Sequence, residues 1–105
     1  MKQYLIKKNY IDIHFTKSKV MVDLDISDKF FTYYFNDHLG INFQQWKSDL
    51  RIDESVRLIK NGYLHGKTLE SLAYEVGFLS RNNFTEAFKK RIGHTPSVFV
   101  KSLEN

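Results

Sequence analysis

Apolar residues recur at intervals of three and four along most of this chain, the spacing that gathers side chains on one side of an α-helix. Phe31, Phe35 and Leu39 form one such series behind Ser27, and Phe43, Trp46, Leu50, Val56 and Ile59 form a longer one behind Asn42. Leu69, Leu72, Ala73 and Val76 follow Thr68, while Phe84, Ala87 and Phe88, with Arg91, follow Ser80. Each series is thus preceded by Ser, Thr or Asn, whose side-chain oxygen can accept from the orphan N–H groups of a first helical turn. The stops are Gly40, the pair Asn61-Gly62, Gly77 and Gly93, residues suited to ending a helix.

Two short helices complete the pattern. Thr16 is an N-cap for one that runs through Leu24, with Asp25 at the turn. Thr95 and Pro96 open the last, proline standing where its missing N–H costs nothing, and Val98 and Phe99 are expected to pin it to the core. Residues 3–15 are ambiguous: Ile11, Ile13 and Phe15 alternate as in a strand, whereas Tyr4, Leu5, Lys8 and Ile11 have helical spacing. Because the rest is helical, this stretch is taken as a first helix.

Finer signals predict contacts. Ile26 with Phe31, and Leu79 with Phe84, have the N′-to-N4 spacing of a hydrophobic staple. Asp53 and Arg57 form an i,i+4 pair on the long helix, worth about 0.3 kcal/mol. That helix, from about residue 42 to 61, should span roughly 30 Å.

The pattern also repeats. A shift of 53 lays Ser27 on Ser80, Phe31 on Phe84, Phe35 on Phe88, Leu39 on Ile92, Gly40 on Gly93, Asn42 on Thr95 and Trp46 on Phe99. With one residue less at the turn, Thr16 falls on Thr68 and Met21 on Ala73. Caps, aromatic positions and glycine stops coincide, so the chain holds two similar helix-turn-helix units. The predicted fold is all-α, with about seven helices: a first unit over 1–41, a linker helix over 42–62 and a second unit over 63–105.

Composition narrows the chemistry. The 105 residues suit one domain. With no cysteine there are no disulfides or thiolate metal sites. His14, His38, His65 and His94 lack HxxxH or HExxH spacing, so no metal or other cofactor is expected. No nucleophile–base pairing or phosphate loop marks an enzyme. There is neither a signal-peptide pattern nor an apolar run of about 20 residues, and a soluble, cytoplasmic domain is expected. The net charge of +4 is modest, but its distribution is informative. Ser80 to Gly93 carries Arg81, Glu86, Lys89, Lys90 and Arg91; Ser27 to Gly40 carries Asp28, Lys29 and Asp37.

At 100° per residue, Phe84, Ala87, Phe88 and Arg91 share one side of the second unit's later helix. Asn82, Thr85, Glu86 and Lys89 point the other way, flanked by Asn83 and Lys90, with Arg81 at the exposed first turn. This outward set suits a DNA major groove. Arg81 matches guanine, Asn82 or Asn83 adenine, and Glu86 the cytosine amino group. Lys89 and Lys90 suit phosphates. A merely solvated face is the competing reading, strongest for Glu86. The equivalent set in the first unit is Lys29, Thr32, Tyr33 and Asn36, with Phe30 and Asp37 at the flanks. Tyr33 could pack on a thymine methyl, bond a phosphate or be a half-buried surface residue. One cation makes this the weaker unit. The aromatic run from Phe30 to Phe35 invites base stacking, but Phe31 and Phe35 fit a core better. Asn42, Thr68 and Thr95, with Lys67, could anchor phosphates at helix N-termini, or simply cap.

The series Ala73, Gly77-Phe78, Phe84, Ala87-Phe88-Lys89-Lys90, Gly93 and Thr95-Pro96, with Leu50-Arg51-Ile52 on the long helix, resembles the DNA-binding domain of AraC/XylS-type bacterial transcription regulators. The resemblance runs from about Thr16 to Val100. It departs at Met21, where alanine is usual, at Asp25, where glycine is usual, and at Glu86, where a basic residue is frequent. It implies a seven-helix, two-unit reader of double-stranded DNA; the repeat and its roughly 30 Å connector would let two recognition helices enter successive major-groove segments, about 34 Å apart. It further implies a nucleoid location when bound, RNA polymerase as a partner, and a separate sensor or dimerisation domain. The chain is expected to be a C-terminal fragment lacking that domain. A helical protein-interaction module of the same fold, without strong DNA binding, is the alternative.

Overall fold

The computed structural model describes residues 16–104; the helix expected over 3–15 lies outside them. Six α-helices and no strand occur among the described residues: α1 (Lys17–Leu24), α2 (Asp28–Thr32), α3 (Phe43–Lys60), α4 (Leu69–Glu75), α5 (Arg81–Ile92) and α6 (Pro96–Leu103). None of the helices among the described residues is long and apolar enough to cross a membrane.

The capping residues explain where the helices begin. Thr16, Ser27, Asn42, Thr68, Ser80 and Thr95 all hold extended backbone, and each side-chain oxygen accepts the N–H three residues on. A Ser, Thr or Asn cap of this kind stabilises its helix by about 1 kcal/mol. Gly40 and Gly93, at φ 72° and 96°, end the later helix of each unit in the left-handed conformation.

Two cores form, and α3 belongs to both. Val20, Phe31, Phe35 and Phe43 make the first, with Trp46 against it. Ile52, Ile59, Leu72, Ala73, Val76, Phe78, Phe84 and Phe88 make the second. The repeat is visible in the packing. Trp46 stands edge-on to Phe35 with ring centroids 4.9 Å apart, and Phe99 stands edge-on to Phe88 at 5.5 Å. An 18-residue α3, about 27 Å long, thus carries one unit at each half of a body measuring 47 × 23 × 22 Å.

Several expectations need correction. α2 continues beyond Thr32 as a π-helix, Tyr33–Leu39, whose wider i→i+5 winding ends with Leu39 exposed rather than in the core. Leu79 is 70% exposed and makes no staple. Phe78 takes that role, its ring edge-on to Phe84 at 5.6 Å. On α6, Val98 faces solvent; Phe99 and Val100 pack on the core with buried Pro96, in step with helical spacing. Arg57 turns to Glu54, three residues back, donating from Nη2 at 3.1 Å, and Asp53 faces Arg91 on α5 instead.

Candidate nucleic-acid interface

α5 is the best-defined presenting element. Ser80 Oγ accepts the Asn83 N–H at 3.1 Å and fixes its start. Phe84 and Phe88 are completely buried and Ala87 is half-buried, which fixes its rotation. Arg91, on the same inner side, reaches the linker helix: its Nε and Nη2 donate to the two Asp53 carboxylate oxygens at 3.2 and 3.1 Å. Asp49 lies 3.7 Å from its Nη1. The hydrogen bond to Asp53, then its charge, raises the Arg91 guanidinium pKa above its ordinary value.

The outer arc is what remains. Arg81, Asn82, Asn83, Glu86, Lys89 and Lys90 are exposed and Thr85 is half-buried, so the seven residues singled out on this helix share one accessible side. Lys89 and Lys90, with Arg91, lie in the last turn, where cations suit the negative end of the helix dipole. Arg81 does not fit that logic. It opens the first turn, where α5 has no acidic residue, and a cation there works against the dipole by a few tenths of a kcal/mol. Helix stability does not account for Arg81; an anionic partner would.

The first unit presents a different surface. Lys29, Thr32, Tyr33 and Asn36 are all exposed, Tyr33 by 55%. The expected set assumed 3.6 residues per turn throughout, and the π-helix from Tyr33 displaces Asn36 from that register. Phe31 and Phe35 are core, which removes them from base stacking; Phe30 remains half-exposed. Lys17 Nζ sits 2.6 Å from Asp28, and Asp28, Lys29 and Asp37 are all exposed.

The four phosphate-anchor candidates are capped or engaged. Asn42 Oδ1 accepts the Gln45 N–H at 2.8 Å, Thr68 Oγ1 the Ser71 N–H at 3.0 Å and Thr95 Oγ1 the Val98 N–H at 3.3 Å. Lys67 Nζ lies 5.0 Å from the Tyr63 ring centroid. The Asn42, Thr68 and Thr95 side chains therefore serve the helices first, leaving the N–H groups of the initial residues to meet an anion. Among the described residues, no group of three or more histidines and carboxylates is placed to hold a metal ion.

Comparison with known proteins follows the same lines. The sequence model of a family described as "Helix-turn-helix domain" matches residues 22–102. Transcriptional regulatory protein HptR of Staphylococcus aureus is 30% identical over 99 residues, covering 94% of this chain and 37% of HptR. HTH-type transcriptional regulator NimR of Escherichia coli is 30% identical over 64 residues, 61% of this chain and 22% of NimR. This chain therefore corresponds to a minor part of each relative's length. The C-terminal domain of AraT, a response regulator from Geobacillus stearothermophilus, superposes with a TM-score of 0.79 at 25% identity, covering 95% of this chain and 79% of that one. The C-terminal domain of the response regulator yesN from Fusobacterium nucleatum gives 0.76 at 28% identity, with 93% and 92% covered.

Proposed function

This chain belongs to the AraC-type helix-turn-helix family, whose members are DNA-binding domains of transcription regulators, and from that membership we propose that it binds double-stranded DNA sequence-specifically through two recognition helices. α5 enters one major-groove segment, and α2 with its π-helical continuation enters the next. The carrying observation is the exposed arc of α5, with Arg81 at the positive end of the helix dipole and Lys89 and Lys90 at the other.

Each side chain has a defined task in that pose. Arg81 takes guanine through a bidentate contact, Asn82 or Asn83 takes adenine, and Glu86 accepts from the cytosine amino group. Lys89 and Lys90 hold phosphates and set the register. Thr85, half-buried, supports the arc from its edge. In the first unit, Lys29, Thr32, Tyr33 and Asn36 assist with fewer charges. The N–H groups at the starts of α3, α4 and α6, behind Asn42, Thr68 and Thr95 and beside Lys67, bind backbone phosphates. α3, held in both cores, is about 27 Å long, a length of the same order as the ~34 Å between groove segments on one DNA face.

In the cell this reading puts the chain at the bacterial nucleoid, in the cytoplasm, acting with RNA polymerase and with a sensor or dimerisation domain. Titration with duplex DNA at rising salt tests it: each phosphate neutralised contributes about −0.9 to the slope of log K against log salt. No binding at low salt would instead favour a helical protein-interaction module, which the exposed Asp28 and Asp37 of the first unit suit better.

A further inference from the structure

Apolar packing holds α5 against α3 but leaves its tilt weakly specified, because the hydrophobic contribution has no direction. Phe84 and Phe88 insert into the second core and fix which side of α5 faces inward. Arg91 adds a directional constraint. Its planar guanidinium meets both oxygens of Asp53, on a residue 38 positions earlier, and lies near Asp49, one turn back on the same face of α3. Bidentate guanidinium–carboxylate geometry fixes angle as well as distance. With Arg91 42% and Asp53 51% exposed, such a pair contributes little to stability. Its consequence is geometric.

We propose that Arg91 is a positioning residue that sets the angle of α5 on the linker helix, and thereby the spacing between DNA boxes that the two units accept. The inference rests on the two-helix reading above. α3 carries Phe43 and Trp46 into the first core and Ile52 and Ile59 into the second, so the first unit moves with α3. The angle between α3 and α5 is then the coordinate that relates one recognition helix to the other. Arg91 lies on the inner side of α5, opposite the groove-facing arc, and does not touch DNA itself.

The test uses Arg91→Met, which keeps an apolar stem, and the charge exchange Arg91→Asp with Asp53→Arg. Affinities are measured for a duplex bearing both boxes, for duplexes with the spacer one or two base pairs longer or shorter, and for the α5 box alone. Wild type should prefer one spacing. Arg91→Met should bind the single box as wild type does but lose about twofold to fivefold of the spacing preference. The exchange should restore part of it, because Asp49 then repels the carboxylate at position 91. An unchanged spacing profile in Arg91→Met overturns this proposal alone, as does an equal loss on the single box, which would make Arg91 a DNA contact. Wild type without any spacing preference overturns the two-helix reading, and this proposal with it.

Discussion

Asp25 and Gly77 both hold positive φ, 52° and 97°, at corresponding corners of the two helix-turn-helix units. Each lets the chain leave one helix and turn toward the next, where the N–H of Ile26 bonds the Met21 carbonyl at 3.0 Å and that of Phe78 the Ala73 carbonyl at 2.9 Å. The two units share their corner geometry, although only the second has glycine there.

That equivalence predicts unequal substitutions. A side chain in the left-handed region costs about 1–2 kcal/mol, less for Asp, while glycine adds roughly 0.5–1 kcal/mol of unfolded-state entropy. Asp25→Gly should therefore leave the urea midpoint near that of wild type, and Gly77→Ala should lose about 1–2 kcal/mol. Asp25→Gly proving the more damaging of the two would contradict the shared geometry.

The contact of Phe78 on Phe84 defines a second prediction. Phe84→Ala should cost about 3–5 kcal/mol, because a fully buried ring leaves a cavity. Leu79→Ala, one residue beyond Phe78 and largely exposed, should stay within about 0.5 kcal/mol. Chemical denaturation of both variants checks this, and a large loss at Leu79 would restore the staple that its exposure argues against.

What the sequence made legible was local. Six caps, the glycine at Gly93 and the buried side of α5 follow from short-range spacing, and each appears in the structure. Long-range geometry was not available. Periodicity places Arg91 on the inner side of α5, but its partner lies 38 residues away, and local spacing alone pairs Asp53 with Arg57 on its own helix. The choice between Phe78 and Leu79 depends on how the chain leaves the Gly77 corner. The π-helix from Tyr33 has no distinguishing pattern in Phe30 to Leu39, and this weakens the projected face of the first unit more than that of the second. The DNA-facing roles rest on exposure and residue chemistry; nothing in spacing distinguishes Glu86 as a base contact from a solvated carboxylate.

Lys47 offers a pH test on the linker helix. Burial first, and then the charge of Arg51, lowers its amine below the ordinary 10.5. Between the lowered folded value and 10.5 the unfolded chain binds more protons, so this group makes unfolding free energy rise with pH in that window. Below the window its contribution is constant. In Lys47→Met the rise should disappear, seen as a sloping difference between the two stability curves on the alkaline side. A flat difference would mean that Lys47 is not perturbed.

Arg81→Ala should cost roughly 1–3 kcal/mol of binding and relax preference at one base pair. Competition between duplexes differing at single positions provides the measurement. Equal loss on every duplex would reduce Arg81 to a phosphate contact.

Glu86→Arg should change the preferred base at its position, since a donor fork replaces an acceptor. If selection with the variant returns the wild-type site, Glu86 is a bystander on the exposed arc.

The most direct test of the whole account is selection of duplexes from a random double-stranded library by the wild-type chain. Selection should enrich a non-palindromic site of two short boxes about 10–10.5 base pairs apart, with preference at one base pair of the better-defined box relaxed in Arg81→Ala. Enrichment of a single box, or of none, would contradict it.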